Sequence, residues 1–134
     1  MTKPELKLMK FKDGEVIFRE GGAIGGVYLI HEGTVEISRV QNGEKQILAN
    51  LGWNKIFGEM SLIDQTPRIA TATAAGDVFC YYMDEAQFKK RLNEADPFLR
   101  GVVQQLVSNL RHVMQKNAET KLLDLSGFYS NASQ

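Results

Sequence analysis

Ile56-Phe57-Gly58-Glu59-Met60-Ser61-Leu62-Ile63-Asp64-Gln65-Thr66-Pro67-Arg68-Ile69-Ala70-Thr71 holds several chemical parts in a fixed order. An aromatic residue precedes a glycine, a run able to make one helical turn follows, and then come a proline turn, an arginine and a strand. A helical turn opening after Gly58 presents backbone N–H groups and the positive end of a dipole, which suit an anion. Arg68 lies within reach across the turn, and its planar fork can pair with two phosphate oxygens at once. Glu59 can accept hydrogen bonds from hydroxyls. Taken singly, these residues say little. A glutamate at a helix start is usually a favourable dipole contact, an arginine before a strand is usually a weak surface charge, and a glycine is usually a turn. Taken in order, they can hold a phosphate and a sugar hydroxyl.

Upstream of this stretch the chain reads as short strands. Ten of the 12 glycines fall between Gly14 and Gly76. Leu6 to Phe11 alternates apolar and charged residues, and Glu15 to Arg19 follows the Asp13-Gly14 turn signal. Val27 to Ile30 is a third strand, broken by Gly33, and Val35 to Val40 is a fourth. Asn42-Gly43 predicts a tight type I′ hairpin, with Lys45 to Leu51 returning as the partner. Ile69 to Ala75 and Val78 to Met83 are two further strands, parted by Gly76-Asp77. Short strands at such intervals predict a small antiparallel β-barrel or jelly roll, spanning about residues 6–83.

Downstream the pattern changes to helix, over about residues 84–121. Asp84 with Gln87 three residues on forms a capping-box pattern, and Phe88 and Leu92 supply an apolar face. Asp96-Pro97 sets an N-cap with proline in the first turn. Apolar residues then recur through Met114 as a wide helical stripe. Within it Leu99, Val103, Leu106, Leu110, Val113 and Asn117 follow the spacing of a coiled-coil seam. Such a helix either packs on its own barrel or serves the barrel on one side and a second subunit on the other. A homodimer through the last helix is therefore one expectation. The tail, 122–134, is polar. The fold class expected is α+β, mainly β, in a single domain over 1–134.

Composition excludes several function classes. The chain has 134 residues, enough for one domain with a real core. Sixteen basic residues balance 16 acidic ones, whereas a nucleic-acid binder that neutralises phosphates normally shows a basic excess. A single cysteine allows no internal disulfide, zinc ribbon or iron–sulfur cluster. No apolar run of about 18 residues suggests a membrane span, and the N-terminus lacks a signal-peptide core. A cytoplasmic protein is expected, with no metal and no cofactor. A metal cupin would need several histidines on barrel strands, but there are only His31 and His112, the latter within the helical pattern. Cys80, in Phe79-Cys80-Tyr81, reads as a core thiol. No nucleophile–base motif supports an enzyme.

The segment resembles the phosphate-binding cassette of the cyclic nucleotide-binding domain family, which includes catabolite activator proteins and protein kinase A regulatory subunits. That cassette reads Phe-Gly-Glu, an aliphatic residue, a small residue and Leu, then a spacer and Pro-Arg-x-Ala. Here it is Phe57-Gly58-Glu59-Met60-Ser61-Leu62 and Pro67-Arg68-Ile69-Ala70. Gly14-Glu15-Val16-Ile17, Gly21, Tyr28-Leu29-Ile30 and Gly33-Thr34-Val35 match the upstream signature, so the resemblance runs from about Lys10 to about Gln115. It implies that Gly58, Glu59 and Ser61 line a phosphate pocket through backbone N–H groups. It implies that Arg68 neutralises the cyclic phosphate and that Glu59 takes the ribose 2′-hydroxyl. Guanine-selective kinase members often carry threonine directly after the arginine. Ile69 stands there, with Thr71 and Thr73 further along the same face, which favours cAMP over cGMP. The last helix would cap the purine through Arg111, Met114 or Gln115, or an aromatic lid would come from Phe128 or Tyr129.

The sequence also departs from relatives. After Gln115 only 19 residues remain, too few for the helix-turn-helix that follows this helix in DNA-reading members. A cyclic nucleotide sensor without DNA or membrane partners is expected, acting on an unidentified protein effector. The initiator-like Met1 slightly favours a free-standing sensor over the sensor half of a larger regulator. The competing reading is a nucleotide-independent interaction module of the same fold.

Overall fold

The structure is a computed structural model that describes residues 6–64 and 67–119, without the side chains at 63, 64, 111 and 113–119. The β-rich part contains β1 (Lys7–Phe11), β2 (Val16–Phe18), β3 (Val27–Gln41), β4 (Glu44–Leu51), β5 (Ile56–Phe57) and β6 (Thr71–Met83). Helix α1 (Glu59–Asp64) lies between β5 and β6, and α2 (Glu85–Glu94) and α3 (Pro97–Glu119) follow.

Two long strands organise everything else. β3 and β6 pair antiparallel, from Val27 opposite Met83 to Ser38 opposite Thr71. On the outer edge of β6, β1 takes the C-terminal half and β2 the N-terminal half. On the outer edge of β3, β5 pairs with Tyr28 and Leu29, and β4 pairs with Val35 to Gln41. The result is two four-stranded halves that share β3 and β6. One buried cluster joins them: Phe11, Tyr28, Ile30, Phe57, Val78 and Cys80 from one half, and Val35, Ile37, Ala49, Leu51, Ala72 and Ala74 from the other. This is a mainly β antiparallel arrangement of jelly-roll type. The pairing does not close into a barrel, since the sheet ends at β1 and β4.

The breaks expected at Gly33 and at Gly76-Asp77 are instead irregularities inside continuous strands. Both glycines have positive φ, 100° and 84°, which an L side chain adopts only at a cost. Between the pairs Glu32–Phe79 and Thr34–Ala75 the register shifts, so Gly33 alone faces residues 76–78. Such bulges let a strand bend without ending. A side chain at Gly33 would also run into the carbonyl of Asp77.

The local turn and cap signals are realised. Asn42 and Gly43 have φ of 55° and 79°, as a type I′ turn requires. The Asp84 carboxylate accepts from the Gln87 N–H at 2.8 Å, and the Gln87 side-chain oxygen accepts from the Asp84 N–H at 3.0 Å. The Asp96 carboxylate accepts from the Phe98 N–H at 3.0 Å, at the start of α3. Cys80 is fully buried, and burial pushes its thiol up to about 12, which suits a core position and not a nucleophile. No group of metal-ligating side chains occurs among the described residues, and no described helix is long and apolar enough to cross a membrane.

Candidate functional site

Gly58 makes the bend from β5 into α1 with φ of +83°. A Cβ there would lie 2.9 Å from Arg68 Nη1 and 3.2 Å from the Gly26 carbonyl oxygen. Both its conformation and its closeness to Arg68 therefore require glycine. The bend delivers the six-residue helix Glu59–Asp64, as the sequence predicts. Phe57 is fully buried and stacks on Tyr28 with ring centroids 5.0 Å apart, which anchors the entry to the bend.

Arg68 is brought back to this bend. It is 7% exposed, an unusual burial for a guanidinium. Its Nη1 donates to the Gly58 carbonyl and its Nη2 to the Gly26 carbonyl, both at 2.9 Å. Its backbone is fixed as well: the Arg68 N–H donates to the Gly22 carbonyl at 3.0 Å, and its carbonyl accepts from the Gly21 N–H at 2.7 Å. The guanidinium lies over the Phe18 ring, with Cζ 4.0 Å from the centroid. At that distance a cation–π contact is favourable.

Glu59, next to Gly58, is electrostatically exceptional. Its Oε1 is buried and has no hydrogen-bond partner among the described residues. Burial holds its carboxyl above the usual carboxylate range, offset in part by a hydrogen bond from its own backbone. A buried acceptor left unsatisfied is costly, and a donor such as a sugar hydroxyl would satisfy it. Ser61, 3% exposed, accepts from the Gly25 N–H through its Oγ at 3.1 Å. This bond ties the α1 turn to the loop before β3.

The remaining predicted residues divide into two groups. Met60, Ile69 and Ala70 join Phe18, Ile37, Gly58, Ser61 and Arg68 around one small space. That space measures about 10 Å³, room for roughly one water. A larger ligand would have to displace side chains or exchange their contacts. Pro67 is exposed, outside this lining. Thr71 and Thr73 alternate with the buried Ala72 and Ala74 in β6, whereas Ile69 lies in the bend before that strand. Thr71 Oγ1 accepts from the Glu20 N–H at 2.9 Å. The side chains of Arg111, Met114 and Gln115, and the whole of Phe128 and Tyr129, lie outside the described residues.

Helices form a second feature beside the first. Leu62 of α1, Phe88 and Leu92 of α2, and Gln104 and Val107 of α3 line a groove of about 320 Å³. Leu99, the first residue of the seam pattern, is 55% exposed. It lies with Phe98, Val102 and Leu106 among the exposed apolar residues of α3. Sequence reasoning missed Phe18, Gly25 and Gly26 as parts of the arginine site. The paired glycines read only as loop punctuation.

Comparison with known proteins agrees with this geometry. The family model for the cyclic nucleotide-binding domain matches residues 8–95. A cAMP-dependent protein kinase regulatory subunit of Dictyostelium discoideum is 31% identical over 99 residues, covering 71% of this chain and 30% of the relative. A CRP-like cAMP-activated global transcriptional regulator of Mycobacterium tuberculosis is 27% identical over 128 residues, covering 95% of this chain and 57% of the relative. The solved cAMP-bound form of an EAL enzyme is 31% identical with a TM-score of 0.65, covering 87% of this chain and 32% of that one. The cGMP-bound form of the same enzyme is 32% identical with a TM-score of 0.63, covering 78% and 28%. The chain thus spans well under two thirds of these relatives. It belongs to the cyclic nucleotide-binding domain family.

Proposed function

We propose that this chain is a cAMP-binding regulatory module without catalytic activity of its own, in which Arg68 neutralises the cyclic phosphate and Glu59 accepts from the ribose 2′-hydroxyl. The observation that carries this reading is a buried arginine bonded to Gly58 and, on the next residue, a buried glutamate oxygen without a hydrogen-bond partner among the described residues. These groups match the two polar ends of a cyclic ribonucleotide. The N–H groups at Gly58, Glu59, Met60 and Ser61 add an anion-binding edge. Ala70 supplies a small surface beside the phosphate, and Pro67 fixes the turn before the arginine. Phe57 anchors the bend.

Ile69 can neither donate to nor accept from a guanine, which supports cAMP over cGMP. The relatives named for cAMP agree with that preference, although one structural neighbour was solved with either nucleotide. Purine capping falls to the last helix, with Arg111 and Gln115 the proposed residues. The setting proposed is cytoplasmic, with an unidentified protein effector and no nucleic acid or membrane partner. The exposed apolar stripe of α3, with Phe98 81% and Leu106 61% exposed, supports a homodimer through that helix.

Calorimetric titration with cAMP and, separately, cGMP tests this reading, with Arg68→Ala alongside. Loss of a charge-assisted pair corresponds to about 1.5–3 kcal/mol, or roughly 10- to 150-fold in affinity. Equal affinity of the wild type and Arg68→Ala for cAMP would remove Arg68 from the pocket. Flat traces for both nucleotides would leave the interaction-module reading in its place.

A further inference from the structure

Arg68 is held by two contacts of different kind. The carbonyls of Gly58 and Gly26 engage the Nη edge of its guanidinium. Phosphate oxygens would use that same edge. The Phe18 ring lies against the guanidinium carbon, with Cζ 4.0 Å from its centroid. Phosphate oxygens that replace the carbonyls at the Nη atoms leave the Phe18 contact free to persist.

Phe18 is itself well held. It sits at the end of β2, with ring centroids 6.0 Å from Tyr28 and 5.9 Å from Phe57. Gly25 also lies close against the guanidinium. A Cβ at Gly25 would lie 2.5 Å from Arg68 Nη2, 3.3 Å from Cζ and 3.7 Å from Nε. The φ of Gly25 is not in the left-handed region, so alanine meets no backbone penalty there. Its methyl would push a flexible guanidinium and leave the fold in place.

We infer that Phe18 and Gly25, both outside the segment that supplies Arg68, are positioning residues that hold the guanidinium against an aromatic ring and beside a side-chain-free backbone, and so set affinity for the phosphate. The inference rests on Arg68 as the phosphate ligand, and it adds the β2–β3 connection to the binding machinery. Neither residue needs to touch the nucleotide to act. Their effect passes through Arg68.

The test is cAMP titration of the wild-type chain and of Phe18→Leu, Phe18→Tyr and Gly25→Ala, each also combined with Arg68→Ala. Phe18→Leu should weaken cAMP binding about 5- to 30-fold, the range of a desolvated cation–π contact, and Gly25→Ala should weaken it measurably by displacing the guanidinium. Phe18→Tyr keeps a ring face and should stay within about 2-fold of wild type. In the Arg68→Ala background the Phe18 and Gly25 effects should vanish. Wild-type affinity in both Phe18→Leu and Gly25→Ala overturns the inference, as do losses of equal size in the Arg68→Ala background. Gly25→Ala guards against poor folding of the Phe18 variants. If the wild-type chain binds neither cAMP nor cGMP, the functional proposal fails, and a urea-unfolding cycle over Phe18 and Arg68 decides the positioning role. Coupling between the two residues upholds it, and strict additivity overturns it.

Discussion

Replacing Glu59 with alanine should make the protein more stable and a poorer receptor at once. The carboxylate oxygen Oε1 is buried without a partner. An unsatisfied buried polar group costs about 1–3 kcal/mol, more when charged. Glu59 also opens α1, where a negative charge contributes about 0.3–1 kcal/mol through the helix dipole. The difference leaves a net gain of about 1–2 kcal/mol for Glu59→Ala at neutral pH, or some 3–8 °C in Tm. Burial raises the carboxyl pKa above the ordinary carboxylate range. The folded protein therefore binds this proton more tightly than the unfolded chain. Stability of the wild type falls as pH rises from the ordinary carboxylate range through the raised value, and the full penalty is present above it. The advantage of Glu59→Ala should be largest near pH 7.5 and shrink on acidification towards pH 4.5. Thermal unfolding of both proteins across that interval measures it. Titration with cAMP and 2′-deoxy-cAMP supplies the functional half: the wild type should discriminate between them and the variant should not. A variant less stable than wild type at pH 7.5, or a stability gap independent of pH, refutes the reasoning.

Two further outcomes follow from the fold. Gly33→Ala places a methyl against the Asp77 carbonyl at a φ of 100°, and should cost more than the roughly 1–2 kcal/mol of a left-handed residue alone; urea unfolding checks this, and a loss below about 0.5 kcal/mol would contradict the bulge. Leu99→Glu with Leu106→Glu, at positions 55% and 61% exposed, should leave Tm of the single chain nearly unchanged and abolish any dimer seen by sedimentation, whereas a dimer that survives lies elsewhere.

What could be read from the sequence was local. Asn42-Gly43, Asp84 with Gln87, and Asp96-Pro97 each act through backbone groups a few residues away, so spacing alone identifies them. The bend at Gly58 and the short helix after it belong to the same class. Gly33 and Gly76 show the limit. A glycine with positive φ serves a turn or a bulge equally well, and only the partner strand decides. Because Gly33 faces residues 76–78 across the β3–β6 ladder, the two glycines mark one bend and not two strand ends. The arginine site was illegible for the same reason: Phe18, Gly25 and Arg68 meet only after β2, β3 and the turn before β6 are assembled. For Leu99, helical periodicity identifies an apolar stripe but not what covers it.

We propose that ligand binding moves the C-terminal helices, and the placement of α1 offers that movement a physical route. Met60 and Leu62 lie two residues apart, and two residues rotate about 200° around a helix. They therefore point in nearly opposite directions. Met60 lines the space beside Arg68, and Leu62 lines the groove shared with Phe88, Leu92 and Val107. Any movement of the bend at Gly58 that admits a phosphate must turn this short helix. Turning it displaces Leu62 from its groove, because packed side chains do not deform smoothly. The helical layer can follow readily, since α2 contains no buried residue. A ligand shifts such an equilibrium only by its difference in affinity for the two arrangements. That difference can arise at Arg68, whose carbonyl partners Gly58 and Gly26 belong to the cassette and to the loop that leads into β3 respectively. Exchanging them for phosphate oxygens loosens the cassette from β3 while Phe18 keeps the charge in place. On this argument the arginine is both the phosphate ligand and the latch, and Leu62→Ala should weaken the coupling to the helices while sparing cAMP affinity.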